Sequence, residues 1–211
     1  MTSTQSTVLI ECTTDPSDIR PLAQVIAEAF HNLLPARWLL PDDKERAQIF
    51  PAWFQLYVEA AMAEGWVHTT PERNAVALWF NGVPEVPHDH YEHLAGIVGP
   101  HLHRFVRFDW ELDRRHPSGP HHWLPIIAVR PGPLGAQGLG IGSALLQFHH
   151  NTLDPIGTPV YLEAADLRSR GLYLRHGYRD HGDPFVLPDG GPPMYPMWRV
   201  PQPIMTFGVP R

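Results

Sequence analysis

At 211 residues the chain is long enough for one large domain, or two small ones, with a substantial core. Its 43% hydrophobic and 18% charged residues exclude a disordered tail. Its net charge of −6, with Lys44 the one lysine, lacks the basic excess of a general nucleic-acid binder and mildly favours a cationic small substrate.

The start, Met1-Thr2-Ser3-Thr4-Gln5, is polar and uncharged and does not read as a signal peptide. No apolar run approaches the roughly 20 residues of a membrane span. A first strand is expected over Thr7–Glu11. The single cysteine, Cys12, excludes an intramolecular disulfide framework and a multi-cysteine zinc site, which favours the cytoplasm. Asp15-Pro16 offers a helix cap with proline at the first helical position. Ile19, Leu22, Ile26, Ala29 and Phe30 then recur at helical spacing. Residues 31–41 read as a loop carrying Trp38. A second helix is expected from Asp42 to Glu64, kinked or split at Pro51 and stopped by Gly65.

Trp66–Thr69 and Ala75–Phe80 read as strands joined by a turn. A Pro-, Gly- and His-rich loop follows. Its His88-Asp89-His90 with His93 resembles a metal cluster in composition, but the flanking prolines favour solvated loop histidines, and no metal is expected. A helix over His101–Arg115, a buried strand over His122–Val129 and a helix over Ser143–Asn151 come next. Pro159–Ala164 reads as a strand and Ser169–His176 as a helix stopping at Gly177. Asp183–Leu187 and Met194–Val200 are final strands. The order β-α-α-β-β-α-β-α-β-α-β-β implies a mixed α/β sheet in one domain.

The sharpest feature is Gln137-Gly138-Leu139-Gly140-Ile141-Gly142-Ser143, after a strand and opening a helix. Its glycines let backbone approach a ligand, and the first helical N–H groups and the helix dipole suit phosphate oxygens. A Walker loop fails for want of lysine. A dinucleotide fingerprint fails because Ser143 or Leu145 stands where its third glycine belongs. Taken alone, the loop fits a ligand-free glycine turn as well as a phosphate site.

A second motif separates these readings. Tyr161-Leu162-Glu163-Ala164-Ala165-Asp166 leads to Leu172-Tyr173-Leu174-Arg175-His176-Gly177-Tyr178. With Gln-x-x-Gly-x-Gly after Val129-Arg130-Pro131, the pair resembles the GCN5-related N-acetyltransferases, over about residues 122–178. Ala75–Trp79 and His122–Val129 further resemble the puromycin N-acetyltransferase-like branch. Five residues separate Pro131 from Gln137, where relatives usually have two.

The resemblance implies a largely antiparallel sheet splayed between two central parallel strands, with helices on both faces. Residues 1–120 would form an acceptor-side half, 121–178 an acetyl-CoA-binding core and 179–211 C-terminal strands. It implies acetyl-CoA as cosubstrate and direct transfer to a small-molecule amine, by a monomer or homodimer without nucleic-acid or membrane partners. A peptide or protein amine is the enzymatic alternative, and a non-catalytic CoA-binding sensor the other. The coenzyme would meet Ile127, Ala128, Val129, Gln137, Gly138, Leu139, Gly140, Ile141, Gly142, Ser143, Asp166 and Ser169. Many relatives have Asn at the position of Asp166.

Tyr173 matches the family's general acid; a phenol of ordinary pKa about 10 is protonated at neutral pH and can donate to a leaving thiolate. Glu163 is the nearest carboxylate for a base, with a solvated outward residue, a water chain or His122 as alternatives. Phe30, Trp38 and Trp79 are expected at the core or acceptor wall. Asp109 interrupts the apolar face of Leu102, Phe105, Val106 and Leu112. A carboxylate there needs a cationic partner, either an internal arginine or the substrate ammonium, unless the helix ends early.

Overall fold

The structure, a computed structural model, describes residues 8–132 and 138–202. The strands are β1 (Glu11–Thr13), β2 (Gly65–Thr69), β3 (Ala75–Asn81), β4 (His122–Val129), β5 (Val160–Ala164), β6 (Arg179–Asp180), β7 (Phe185–Val186) and β8 (Pro193–Arg199). They run β1-β2-β3-β4-β5-β8-β6 across one sheet, with β7 also paired to β8. Each pairing is antiparallel except β4 with β5. The expected mixed, largely antiparallel α/β sheet is thus found.

The helices are α1 (Ile19–Phe30), α2 (Leu34–Leu39), α3 (Asp43–Glu64), α4 (His90–Val98), α5 (Leu102–Asp113), α6 (Ile141–Leu153) and α7 (Leu167–Arg175). None of the described helices is long and apolar enough to cross a membrane. Strand β3 explains the two layers. Val76, Leu78 and Phe80 pack with α1 and α3, whereas Ala75, Ala77 and Trp79 pack with α6 on the other face. This is the period-two alternation of a strand covered on both sides.

Three local expectations are corrected. The 31–41 loop contains α2, because Pro35 is tolerated in a first turn and Ala36, Leu39 and Leu40 are buried. The His-rich loop contains α4, held by Leu94 and Val98 one helical turn apart in the core. Helix α3 runs unbroken through Pro51. Asp42 caps it at the Lys44 and Glu45 amides, and Phe50, Trp53, Phe54, Val58 and Ala61 are buried. That tertiary burial outweighs the ~3 kcal/mol cost of an internal proline.

The β4–β5 seam positions the site. These strands pair only at His122↔Val160 and Trp123↔Tyr161. Beyond that point β4 follows β3 and β5 follows β8. A bulge marks the departure: Phe80 and Leu78 oppose Trp123 and Ile126, so β4 carries one extra residue around Leu124-Pro125. Proline suits a bulge because it has no N–H to give a ladder. Arg130 N–H donates to Asn74 C=O, so alternation turns the Ile127 main chain away from β3 and toward the gap.

Candidate active site

A cleft of about 680 Å³ follows this gap. At one end lies the start of α6. Gly138 and Gly140 hold φ of +87° and +81°, where a side chain would strain the backbone. A Cβ on either would meet nothing within 4 Å, so conformation rather than crowding requires glycine there. Gly140 is the N-cap, with no side-chain cap bond. The first N–H groups of a helix lack intrahelical acceptors, and Gly138, Gly140, Gly142 and Ser143 all line the cleft.

Along the middle, Ile127, Ala128 and Val129 form one wall, and Leu172 and Tyr173 the other. Tyr173 is buried, and burial followed by the Asp166 charge raises its phenol pKa, keeping the proton on oxygen at neutral pH.

At the far end stand Phe30, Trp53, Phe54, Tyr57, Phe108 and Trp123. Phe30 meets Phe54 edge to face at 5.5 Å, and Phe54 meets Trp53 at 4.6 Å. Among these rings sits Glu163. Its Oε2 accepts from Trp123 Nε1 at 3.1 Å, while its Oε1 is enclosed with no hydrogen-bond partner. Burial raises its pKa to about 7; the hydrogen bond from Trp123 and the nearby Tyr161 phenol oppose the rise, and Asp113 adds to it. Such a carboxyl is poised to exchange a proton near neutral pH.

Solved structures share this fold. An acetyltransferase from Corynebacterium glutamicum, described as histone acetyltransferase HPA2 and related acetyltransferase, matches with TM-score 0.70 and 27% identity, over 93% of this chain and 98% of the other. The chain has the fold of the GCN5-related N-acetyltransferases.

The acetyltransferase fold recurs at lower identity. Arylalkylamine N-acetyltransferase 2 from Aedes aegypti matches with TM-score 0.65 and 12% identity, over 93% of this chain and all (100%) of that one. The ribosomal-protein-S18-alanine N-acetyltransferase of Escherichia coli matches with TM-score 0.50 and 16% identity, over 96% and 99%. No family model and no curated protein sequence matches the chain. The puromycin-like branch is not confirmed by these matches.

The cleft of this acetyltransferase gathers most of the residues singled out from sequence: Phe30, Ile127 to Val129, Gly138, Gly140 to Ser143, Glu163, Asp166, Ser169 and Tyr173. Gln137 lies outside the described residues. Leu139 is 71% exposed and does not line the cleft. Asp166 and Ser169 reach it, yet their side chains serve a capping box on α7. Asp166 Oδ1 accepts from the Ser169 amide at 2.7 Å and from its hydroxyl at 2.8 Å.

Of the two places expected for Trp38 and Trp79, the structure gives the core and not the cleft wall. Trp38 does not line the cleft; its Nε1 donates to Pro188 C=O at 2.9 Å and its ring covers Gly191. Trp79 is fully buried on the α6 face, stacked on His149 at 4.0 Å. His122 shares that face, with Nδ1 2.9 Å from His149 Nε2, and is turned from the cleft. Asp109 neither lines the cleft nor makes a described ion pair. Burial and then Asp113 raise its pKa to about 7, and its charge helps raise that of Tyr57.

Sequence reading missed Tyr57, Phe108, Trp123 and Tyr161. Trp123 lies 40 residues from Glu163 in the chain, and only β4–β5 pairing brings them together. Tyr161 alone had a local signal, since it precedes Glu163 by two on one strand face.

Proposed function

We propose that this enzyme transfers an acetyl group from acetyl-CoA directly to the amine of a small molecule with a flat apolar body. The observation that carries the reading is the single continuous cleft. It runs from the uncapped α6 N-terminus, through the splayed strands, past Tyr173, to an enclosed carboxylate among aromatic rings. A diphosphate fits the first part, because free N–H groups and the helix dipole favour negative charge. The extended pantetheine arm fits the gap, where the Ile127 main chain takes the place of a strand neighbour.

In the transfer, Glu163 removes a proton from the acceptor ammonium, so that the amine attacks as a neutral nucleophile. The aromatic wall holds the acceptor body and excludes water, supplying orientation. The Tyr173 hydroxyl donates its proton to the departing thiolate, and the phenolate so formed takes the second proton that the attacking nitrogen loses as the amide forms, which leaves one proton, on Glu163. No covalent acetyl-enzyme is required: exposed Cys12 lies on β1, at the far edge of the sheet. The C. glutamicum and A. aegypti proteins are acetyltransferases by name, and the mosquito enzyme takes arylalkylamines, which supports an aromatic amine acceptor. The cytoplasm, where acetyl-CoA is abundant, is the expected compartment.

The test is acetyl-CoA-dependent thiol release over arylalkylamines such as phenethylamine, aliphatic amines, amine antibiotics and short peptides. Turnover of small aromatic amines in preference to peptides is expected. Absence of thiol release with every amine, together with no calorimetric heat on adding CoA, overturns the proposal. Preference for peptides moves the acceptor to a protein amine.

A further inference from the structure

Acetyl transfer to an amine that arrives as ammonium yields the amide, the free thiol and one proton. That proton is left on the base and must reach solvent before the next turnover. Glu163 Oε1 is enclosed, and an acceptor held in the cleft would stand between Glu163 and the mouth of the cleft.

A second path leads away from Glu163. Tyr161 stands two residues earlier on the same face of β5 and is fully buried. Its hydroxyl, like Glu163 Oε1, is enclosed without a hydrogen-bond partner. The two groups are close enough for the phenol to pull the carboxyl pKa down against burial. Two orphaned oxygens side by side are costly unless a shared water or proton serves both.

Beyond Tyr161, the His116 ring lies 4.9 Å from the phenol ring, edge to face. His116 Nε2 is 2.8 Å from His121 Nε2, and His121 Nδ1 is 2.8 Å from Gly119 C=O. A carbonyl only accepts, so His121 carries its proton on Nδ1 and presents a bare Nε2. His116 must then donate from Nε2, which leaves its own Nδ1 bare and able to take a proton. His116 is part-exposed, and exposed His181 borders the same phenol ring at 6.0 Å. Neither Tyr161, His116 nor His121 lines the substrate cleft.

We propose that Tyr161 and the His116–His121 pair form a proton exit from Glu163 to solvent, separate from the substrate cleft. The inference rests on Glu163 as the acceptor's base. In one passage Glu163 returns the acceptor's proton to the Tyr161 oxygen. Tyr161 gives up its own, by way of a water, to His116 Nδ1, and His116 releases one to bulk water. Only O–H and N–H bonds are made and broken, and no electrons change hands. Burial and then His121 lower the His116 pKa to about 4, so it passes protons on rather than storing them. The other charged groups facing the path are Asp113 beside Glu163 and Arg115 beside Tyr161.

The test compares the full chain with Tyr161→Phe and His116→Ala, using acetyl-CoA and phenethylamine. Both variants should lose kcat about tenfold, less than loss of the base itself, with both KM values within about twofold. The solvent deuterium isotope effect on kcat should rise. Added imidazole should restore His116→Ala, a rescue that a purely structural role does not give. Wild-type kcat and isotope effect in both variants overturn the exit. So does a lowered kcat in His116→Ala that imidazole leaves unchanged. Glu163→Gln keeps the two readings apart: if it is inactive while the relay variants are normal, the base stands and the exit falls. If Glu163→Gln turns over normally, or the wild type does not acetylate phenethylamine, the underlying reading falls and the exit with it.

Discussion

Replacing Glu163 by glutamine separates catalysis from stability within one variant. Burial moves this carboxyl from an ordinary 4.5 to about 7. A shift of roughly 2.5 pKa units corresponds to about 3 kcal/mol. The native state holds the proton more tightly than the unfolded chain does. Stability is therefore lost as pH rises from about 4.5 through about 7, and the full loss is carried above that. Glutamine cannot ionise and escapes it. It keeps a carbonyl for Trp123 Nε1 but buries an amide whose unmade hydrogen bonds cost about 1 kcal/mol. Against wild type, the variant should be about 1 kcal/mol less stable near pH 4.5 and about 2 kcal/mol more stable near pH 8.5. For a chain of this size that is a Tm higher by roughly 4–8 °C at the alkaline pH. Its kcat should fall about 10²–10⁴-fold. Thermal unfolding of both proteins at the two pH values, beside thiol-release kinetics, makes the comparison, and the difference cancels the other titrating groups. A Tm difference that does not change with pH refutes the buried-carboxylate reasoning, and an unchanged kcat refutes the base.

Three further outcomes are expected. Tyr173→Phe should lower kcat about 10²-fold or more while CoA affinity by calorimetry stays near wild type, because only a proton donor is removed. Gly140→Ala should raise the acetyl-CoA KM with little effect on the acceptor KM. At φ +81° a side chain costs about 1–2 kcal/mol, with no neighbour to clash against, so the change acts through the turn. Trp38→Phe should cost about 1 kcal/mol in denaturant unfolding, for the lost bond to Pro188, and leave the acceptor KM unchanged. A large rise in that KM would return Trp38 to the acceptor wall.

The turn at the start of α6 and the α7 segment were legible because their requirements are local. Positive-φ glycines, a helix N-terminus and the Leu-Tyr-x-Arg-x-Gly-Tyr helix end are all written within short stretches of chain. Strand and helix periodicity likewise fixed most elements, whereas the two-faced burial of β3 came only from the packed structure. Errors came where composition opposed packing. Pro51 does not break α3 and the His-rich loop does not stay open, because buried Phe50, Phe54, Leu94 and Val98 decide those segments. The aromatic end of the cleft was not legible, because it is made by contacts between distant residues. Whether Trp38 or Trp123 faces the cleft depends on which face of which element packs where, and two tryptophans of equal apolarity carry no such mark. Glu163 could be named from sequence as a carboxylate on the right strand. Its partner Trp123, its orphaned oxygen and its raised pKa exist only once β4 and β5 meet for two residues and part, since desolvation is a property of the packed surroundings and not of the side chain.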